Sequence, residues 1–242
     1  MMSLHALIPA RFGSKGIPKK NIVDVHGHPL IAYSIMAALE CDQIDRVFVS
    51  TDSEEIASIA RKYGAEAPFL RPSEFAQDNS TDSEVLIHLF DNIDMEEVVF
   101  LRPTTPLRDP VKMSEYINVY FDAQSICSGL RSMHINSHPP YKVYKLNEEG
   151  FCEGFFEDFN GIKDYSGLPR QMFPQSYMPN GYLDICKKQT VLEGSSAFGL
   201  HIKAVVTDPL IDIDTVADLQ LLRYKLSAKS HKLLDLLNTK FA

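Results

Sequence analysis

The chain has 242 residues, 45% of them apolar, and 32 acidic against 24 basic side chains give a net charge of −8. That length suits one α/β domain over residues 1–242, and the acidic balance argues against general nucleic-acid binding. No apolar run reaches membrane-spanning length, and the start of the chain lacks the n-region and h-region of a signal peptide, so a soluble cytoplasmic protein is expected, with no membrane partner.

In chain order, Leu4 to Pro9 is a short apolar run and reads as a buried strand. His26-Gly27-His28 reads as a solvated turn rather than a metal site. Ile31, Ile35 and Ala38 form a helical stripe, and Arg46 to Ser50 is the next strand. Thr51 with Glu54 resembles a capping box, and Ile56, Ile59, Ala60 and Tyr63 follow at helical spacing. Ala67 to Leu70 reads as a short strand. Thr81 with Glu84 opens a helix through about Phe90, and Val98 to Leu101 is another buried strand. Asp109-Pro110 is a cap followed by proline at the first helical position, ahead of Met113, Tyr116, Ile117 and Tyr120. Ser125 to Leu130 is strand-like. Gly199 to Val206 reads as a strand, and Val216, Leu219, Leu222 and Leu226 mark a helix. The tail KLLDLLNTKF is amphipathic and should pack on its own domain.

Strands alternating with helices imply a parallel sheet covered on both faces. Ligands of such sheets bind beyond the carboxyl ends of the strands, so the loops at Ala10, Thr51, Arg71 and Arg102 should share one face. Residues 131–180 break the pattern. They are rich in Pro, His, Tyr, Phe and Asn and read as an inserted lobe, serving a subunit contact or an ordered lid. Cys41, Cys127, Cys152 and Cys186 are widely spaced and read as reduced thiols.

The loop ARFGSKGIPKKN, residues 10–21, carries four cations and no acid on an otherwise acidic chain, which suggests a local anion site. Gly13 and Gly16 allow close backbone approach and positive φ. Lys15 and Lys20 can reach phosphate oxygens, and Arg11 can grip them bidentately. The loop fits neither the Walker pattern nor the dinucleotide GxGxxG, which disfavours common kinases, GTPases and Rossmann oxidoreductases. A solvated basic turn is the alternative. Asp212 and Asp214 alternate in an extended stretch and make a hard oxygen pair suited to Mg²⁺, while Thr215 with Asp218 forms a capping box. FLRPTTPLR, with Arg102, Thr104, Thr105 and Arg108, suits an anionic or polyhydroxylated substrate or is a Pro-rich turn. Arg71-Pro72, Pro169-Arg170-Gln171 and Pro179-Asn180-Gly181 complete the set, with a hairpin turn as the alternative for Asn180-Gly181.

Taken in order, IPARFGSKGIPKKN, VSTDSEEIA, FLRPSEFAQD, RPTTPLR, PRQMFPQSYMPNG and DIDT resemble the motifs of the acylneuraminate cytidylyltransferases, and less closely those of the related synthetase for the sugar Kdo, over residues 7–222. The resemblance implies a three-layer, Rossmann-like, mostly parallel sheet of the nucleotide-diphospho-sugar transferase type with a small inserted dimerisation lobe. It implies attack of a keto-acid sugar's anomeric hydroxyl on the α-phosphate of CTP, with Mg²⁺ required and pyrophosphate released. Arg11, Lys20 and Asp214 are then the catalytic candidates. Gly13, Ser14, Lys15 and Asn21 join Arg11 and Lys20 on the nucleotide, with Arg71 and the Asn79, Ser80, Thr81 loop near base and ribose. Asp212 and Asp214 carry the metal. Arg102, Thr104, Thr105, Arg170, Gln171 and Asn180 line the sugar side, and Lys142 reaches the neighbour's sugar pocket in a homodimer. Two positions depart from the pattern: Arg102 stands where sialate synthetases usually have Gln, and Met178 where they often have Arg. Arg102 is expected to take over the carboxylate recognition that Met178 lacks. The sugar is expected to be a nonulosonate of the N-acetylneuraminate, legionaminate or pseudaminate type. Transfer to Kdo, use of another nucleotide on a sugar phosphate, and a non-catalytic nucleotide-binding module are the competing readings.

Overall fold

The computed structural model describes residues 4–194 and 196–241. Its elements in chain order are β1 (Leu4–Pro9), β2 (Asp24–Val25), β3 (His28–Pro29), α1 (Leu30–Leu39), β4 (Ile44–Ser50), α2 (Glu54–Lys62), α3 (Asp82–Asn92), β5 (Glu97–Phe100), α4 (Pro110–Ala123), β6 (Gly129–Ile135), β7 (Tyr144–Leu146), β8 (Cys152–Gly154), β9 (Tyr177–Lys187), α5 (Lys188–Glu193), β10 (Ile202–Val206), α6 (Val216–Ala228) and α7 (Lys232–Phe241). None of the described helices is long and apolar enough to cross a membrane.

Six strands form one sheet in the order β10-β6-β9-β5-β1-β4. β1 lies inside the sheet, between β4 and β5, because it is apolar on both faces. Leu4, Ala6 and Ile8 pack into the core made with α1, α4, α6 and α7, and Leu7 packs into the opposite core with α3 and α5. β1 is parallel to both β4 and β5, and β10 is parallel to β6. β9 alone runs antiparallel, between β5 and β6. The result is the expected three-layer, mostly parallel α/β sheet. The chain passes from β1 to β4 on one side and on to β5 on the other, so the order reverses at β1. A crevice opens there, beyond the strands' carboxyl ends.

Several local expectations need correction. The cap of α2 is Ser53, whose side chain accepts from Ile56 N–H; Thr51 instead accepts from Ser53 N–H. Residues 67–70 form no strand. Pro68 has no N–H for a ladder, and only Glu66 bridges to Phe48. The strand expected over 125–130 starts at Gly129 and runs to Ile135, since α4 extends to Ala123 and a turn follows. Asn180-Gly181 lies inside β9 rather than in a hairpin turn, with Gly181 at φ +66 where the β6 pairing shifts register. The His26-Gly27-His28 turn is solvated only in part, with Gly27 exposed and His26 half-buried. His28 is buried between Tyr63 Oη and Asn238 Oδ1, each 3.0 Å away, and His26 Nε2 is 2.9 Å from the Arg223 carbonyl. The capping boxes at Thr81 and Thr215 and the Asp109-Pro110 start are formed as the residues predict, and α7 packs on α1. All four cysteines are free thiols.

The irregular region leaves the sheet at Ile135 and returns at Tyr177, which pair with each other. The ends of the 131–180 stretch therefore belong to β6 and β9. Residues 136–176 form the lobe itself, built on the β7–β8 ribbon and an aromatic cluster in which Tyr141 stacks on Phe173 at 5.0 Å.

Candidate active site

The loop after β1 is shaped by its own sequence. Lys19 adopts the left-handed conformation, φ 51, which turns the chain into a short 3-10 segment at Lys20–Ile22. The buried Asn21 side chain donates to the Arg11 carbonyl at 2.8 Å and closes the loop on itself. Neither Gly13 nor Gly16 has positive φ, contrary to the sequence reading. Gly16 is required for a different reason: a Cβ there would collide with the Asp214 carbonyl oxygen. Gly13 faces open space. The loop thus lies directly against the segment after β10, and Lys20 Nζ reaches Asp214 Oδ1 at 2.9 Å.

Loop and crevice line a cavity of about 490 Å³. Arg11, Ser14, Lys15, Gly16, Lys20 and Asn21 line one wall. Arg71, Ser80, Thr81 and Asp82 line the second, and Arg102, Thr104 and Asp214 contribute as well. Gly13, Asn79, Thr105, Asn180 and Asp212 stand outside this lining. Asp212 and Asp214 flank the buried Ile213, whose N–H bonds the Thr104 carbonyl at 2.8 Å, so the extended DID stretch is pinned to the loop after β5. Thr105 donates to the Asn180 carbonyl at 3.3 Å, and Asn180 donates to Thr207 Oγ1 at 2.7 Å. Both act within the fold as the structure stands.

Arg71 is the most informative cation. It is 5% exposed, lines the cavity, and its Nε and one Nη have no hydrogen-bond partner among the described residues. Burial pushes its guanidinium below the ordinary arginine value, with Asp52 opposing and Arg11 adding to the drop. A buried, unpartnered guanidinium is costly unless a ligand completes it. Nearby, Asp78 bridges Arg11 at 2.9 Å and Lys15 at 2.7 Å. Lys15, and then Arg11, hold that carboxyl below the usual carboxylate range. Asp78 was not singled out from the sequence; it sits in the anion position that the loop creates.

Arg102 is held on both sides, by Asp184 at 2.6 Å and Asp82 at 2.5 Å. Arg108, read from the sequence as facing substrate, is fully buried instead. It donates to the carbonyls of Tyr182, Gly181 and Arg102 and to Ser34 Oγ. Burial pushes it down to about 9, and its role is to clamp β9 to the loop after β5. Arg170 and Gln171 line a separate depression in the lobe, and Arg170 and Lys142 another. Lys142 donates to the Ser166 carbonyl at 2.7 Å. Within one chain these three lie outside the cavity lining. No group of three or more His, Cys, Asp or Glu side chains among the described residues could hold a metal by itself.

A cavity at the reversal point of a mostly parallel sheet, walled by loop cations, defines an α/β nucleotide-binding fold of the Rossmann-like type. The sequence pattern of the cytidylyltransferase family matches residues 5–151, and the chain belongs to that family. It is 33% identical over 237 residues to an N-acylneuraminate cytidylyltransferase of Escherichia coli, covering 96% of this chain and 54% of that protein, so the chain spans about half the length of that relative. It is 30% identical to a pseudaminic acid cytidylyltransferase of Campylobacter jejuni, covering 93% of this chain and 97% of the relative. The fold is similar to that of CMP:2-keto-3-deoxy-manno-octonic acid synthetase solved with CTP, with TM-score 0.71, 17% identity, and coverage of 94% and 99%. The family resemblance read from the motifs holds.

Proposed function

We propose that this protein is a cytoplasmic CMP-sugar synthetase, which activates a nonulosonate of the N-acetylneuraminate, legionaminate or pseudaminate type with CTP. The observation that carries this is the orphaned Arg71 guanidinium, buried in the same cavity wall system as Arg11, Lys15 and Lys20. Four cations converging on one crevice of an acidic chain suit a triphosphate, and the curated relatives are named for CMP-sugar chemistry.

The oxygen of the sugar's anomeric hydroxyl forms the new bond to the α-phosphorus as its proton passes to solvent, and the α–β phosphoanhydride bond breaks to release pyrophosphate. No protein nucleophile is required, because alignment and charge stabilisation suffice. Arg11, Lys15 and Lys20 hold the phosphate oxygens in this reading, with Ser14 and Asn21 shaping the loop and Arg71, Ser80 and Thr81 around base and ribose. Arg102 and Thr104 stand on the sugar side in this reading, and Thr105 and Asn180, bonded within the fold, support that wall. Asp214, which lines the cavity, and Asp212, two residues away, fit Mg²⁺, an ion that takes one or two carboxylates plus substrate phosphates. When bound, it would neutralise charge developing on the leaving pyrophosphate.

The working unit in this reading is a homodimer joined through the lobe. Leu146, Phe151 and Phe155 are 70%, 65% and 59% exposed there, and Arg170, Gln171 and Lys142 line depressions in the same lobe, from which they would complete a neighbour's sugar pocket.

The test is pyrophosphate release across the four nucleoside triphosphates with a panel of nonulosonic acids. CTP-specific release with one of these acids is expected. Release only with another nucleotide and a sugar phosphate would replace this reading, and CTP binding without turnover would favour a binding module.

A further inference from the structure

Arg102 looks, on sequence alone, like a free cation waiting for the sugar's carboxylate. Its surroundings argue otherwise. Nη1 lies 2.6 Å from Asp184 Oδ2 and Nη2 lies 2.5 Å from Asp82 Oδ2, and the guanidinium rests 5.0 Å from the centre of the Phe100 ring. Asp184 is fully buried, and Arg131 Nε stands 3.7 Å from its other oxygen, with the Arg131 guanidinium over Phe198 at 3.9 Å. Two guanidiniums and two carboxylates thus form one cluster whose formal charges cancel. A third carboxylate brought to Arg102 would meet a cation already matched, and would face Asp82 across it. A side chain at Gly181 would press on Arg102 Cδ at 3.2 Å, so the bed beneath the guanidinium is kept clear by glycine.

Asp82 is the member of the cluster that the cavity meets most openly. It is the first residue of α3, it lines the cavity, and its side chain is 42% exposed. Its bond to Arg102 uses Oδ2, so Oδ1 is not engaged by that guanidinium. An ionised carboxylate accepts hydrogen bonds and donates none, so it selects N–H and O–H groups and repels anions.

We propose that Arg102 is a positioning residue and that Asp82 is the specificity-determining group it sets in place, accepting a hydrogen bond from an N–H or O–H of the sugar acid. This deepens the reading of the cavity as a CMP-sugar synthetase site and rests on it. The chemistry selected is a keto-acid sugar bearing an acylamino or hydroxyl donor within reach of α3, and the sugar's carboxylate is gripped elsewhere.

The experiment is steady-state kinetics of wild type, Asp82→Asn, Arg102→Gln and the double variant, with KM measured separately for CTP and for the sugar acid. Each single variant is expected to raise the sugar KM about 10- to 100-fold, the range for a hydrogen bond to a charged group. The double variant is expected to do no worse than the more damaging single, because both remove one contact, and the CTP KM is expected to stay within about twofold. A sugar analogue lacking the donor should be insensitive to Asp82→Asn. A large loss in Arg102→Gln with Asp82→Asn near wild type overturns the proposal in favour of Arg102 as a direct carboxylate ligand. A changed CTP KM with an unchanged sugar KM overturns it as well. If Arg102→Gln fails to fold because Asp184 is left buried and unmatched, Asp82→Asn, at the cavity's edge, decides alone. Wild type without turnover on any keto-acid sugar overturns both readings; turnover in wild type with no effect of Asp82→Asn overturns only this one.

Discussion

Lys20 Nζ lies 2.9 Å from Asp214 Oδ1, a contact that ties the first loop of the chain to the segment before α6 across 194 residues. Asp214 is well exposed, so the pair itself contributes at most about 1 kcal/mol to folding. Asp214→Ala and Lys20→Ala are therefore expected to unfold within a few degrees of wild type. Turnover should separate them from stability: Asp214→Ala should lose Mg²⁺-dependent release of pyrophosphate, and Lys20→Ala should lower kcat more than it raises the CTP KM. Near-normal turnover in Asp214→Ala would remove it from the metal assignment.

Arg71 puts stability and binding in opposition. An unpartnered buried guanidinium destabilises the ligand-free fold, so Arg71→Met should melt at or above the wild-type temperature. CTP binding, measured by calorimetry, should weaken by about 10-fold or more for the loss of a charge-assisted contact. Wild-type CTP affinity in this variant would show that the orphaned donors serve something else.

Arg108 should behave in the opposite way. Arg108→Met would strip the carbonyls of Tyr182, Gly181 and Arg102 of a shared donor in the interior, at about 1–3 kcal/mol for each one left unsatisfied. A steep fall in thermal stability is expected, with the remaining folded fraction binding CTP normally. Selective loss of binding at unchanged stability would return Arg108 to the substrate side.

His88 offers a pH readout of the cavity. Its ring packs edge-on against Phe69 at 4.9 Å, and burial first, then the charge of Arg71, hold its pKa below the ordinary histidine value. The neutral ring is thus favoured in the folded state. Its contribution is complete above about pH 6.5 and is lost as pH falls from there through the lower folded-state pKa. An anionic ligand on Arg71 cancels part of the repulsion, so saturating CTP should raise the His88 pKa in an NMR titration. No shift on CTP binding would place the nucleotide away from Arg71.

The basic loop was legible because its signal is contiguous: two glycines and four cations within twelve residues, directly after a strand. The capping boxes at Thr81 and Thr215 were legible for the same reason. What escaped is non-local. Asp78 neutralises Arg11 from 67 positions away, and Asp184 meets Arg102 across 82, so no local pattern distinguishes a free cation from a matched one. Arg108 read as a ligand because its sequence context is a Pro-rich loop, while its burial depends on β9 passing alongside. The strand expected over 125–130 runs on to Ile135 through Arg131, Ser132 and His134, polar residues that hid this part of its path, and Ser132 is buried with Oγ accepting from Leu183 N–H.

The lobe leaves and re-enters the sheet at two residues that face each other, Ile135 and Tyr177. Its two ends are already joined by the ladder, so everything between them hangs from a closed stem. Such an arrangement makes the region an exchangeable cassette: it can lengthen, shorten or be replaced without re-threading the strands that support the loop after β1.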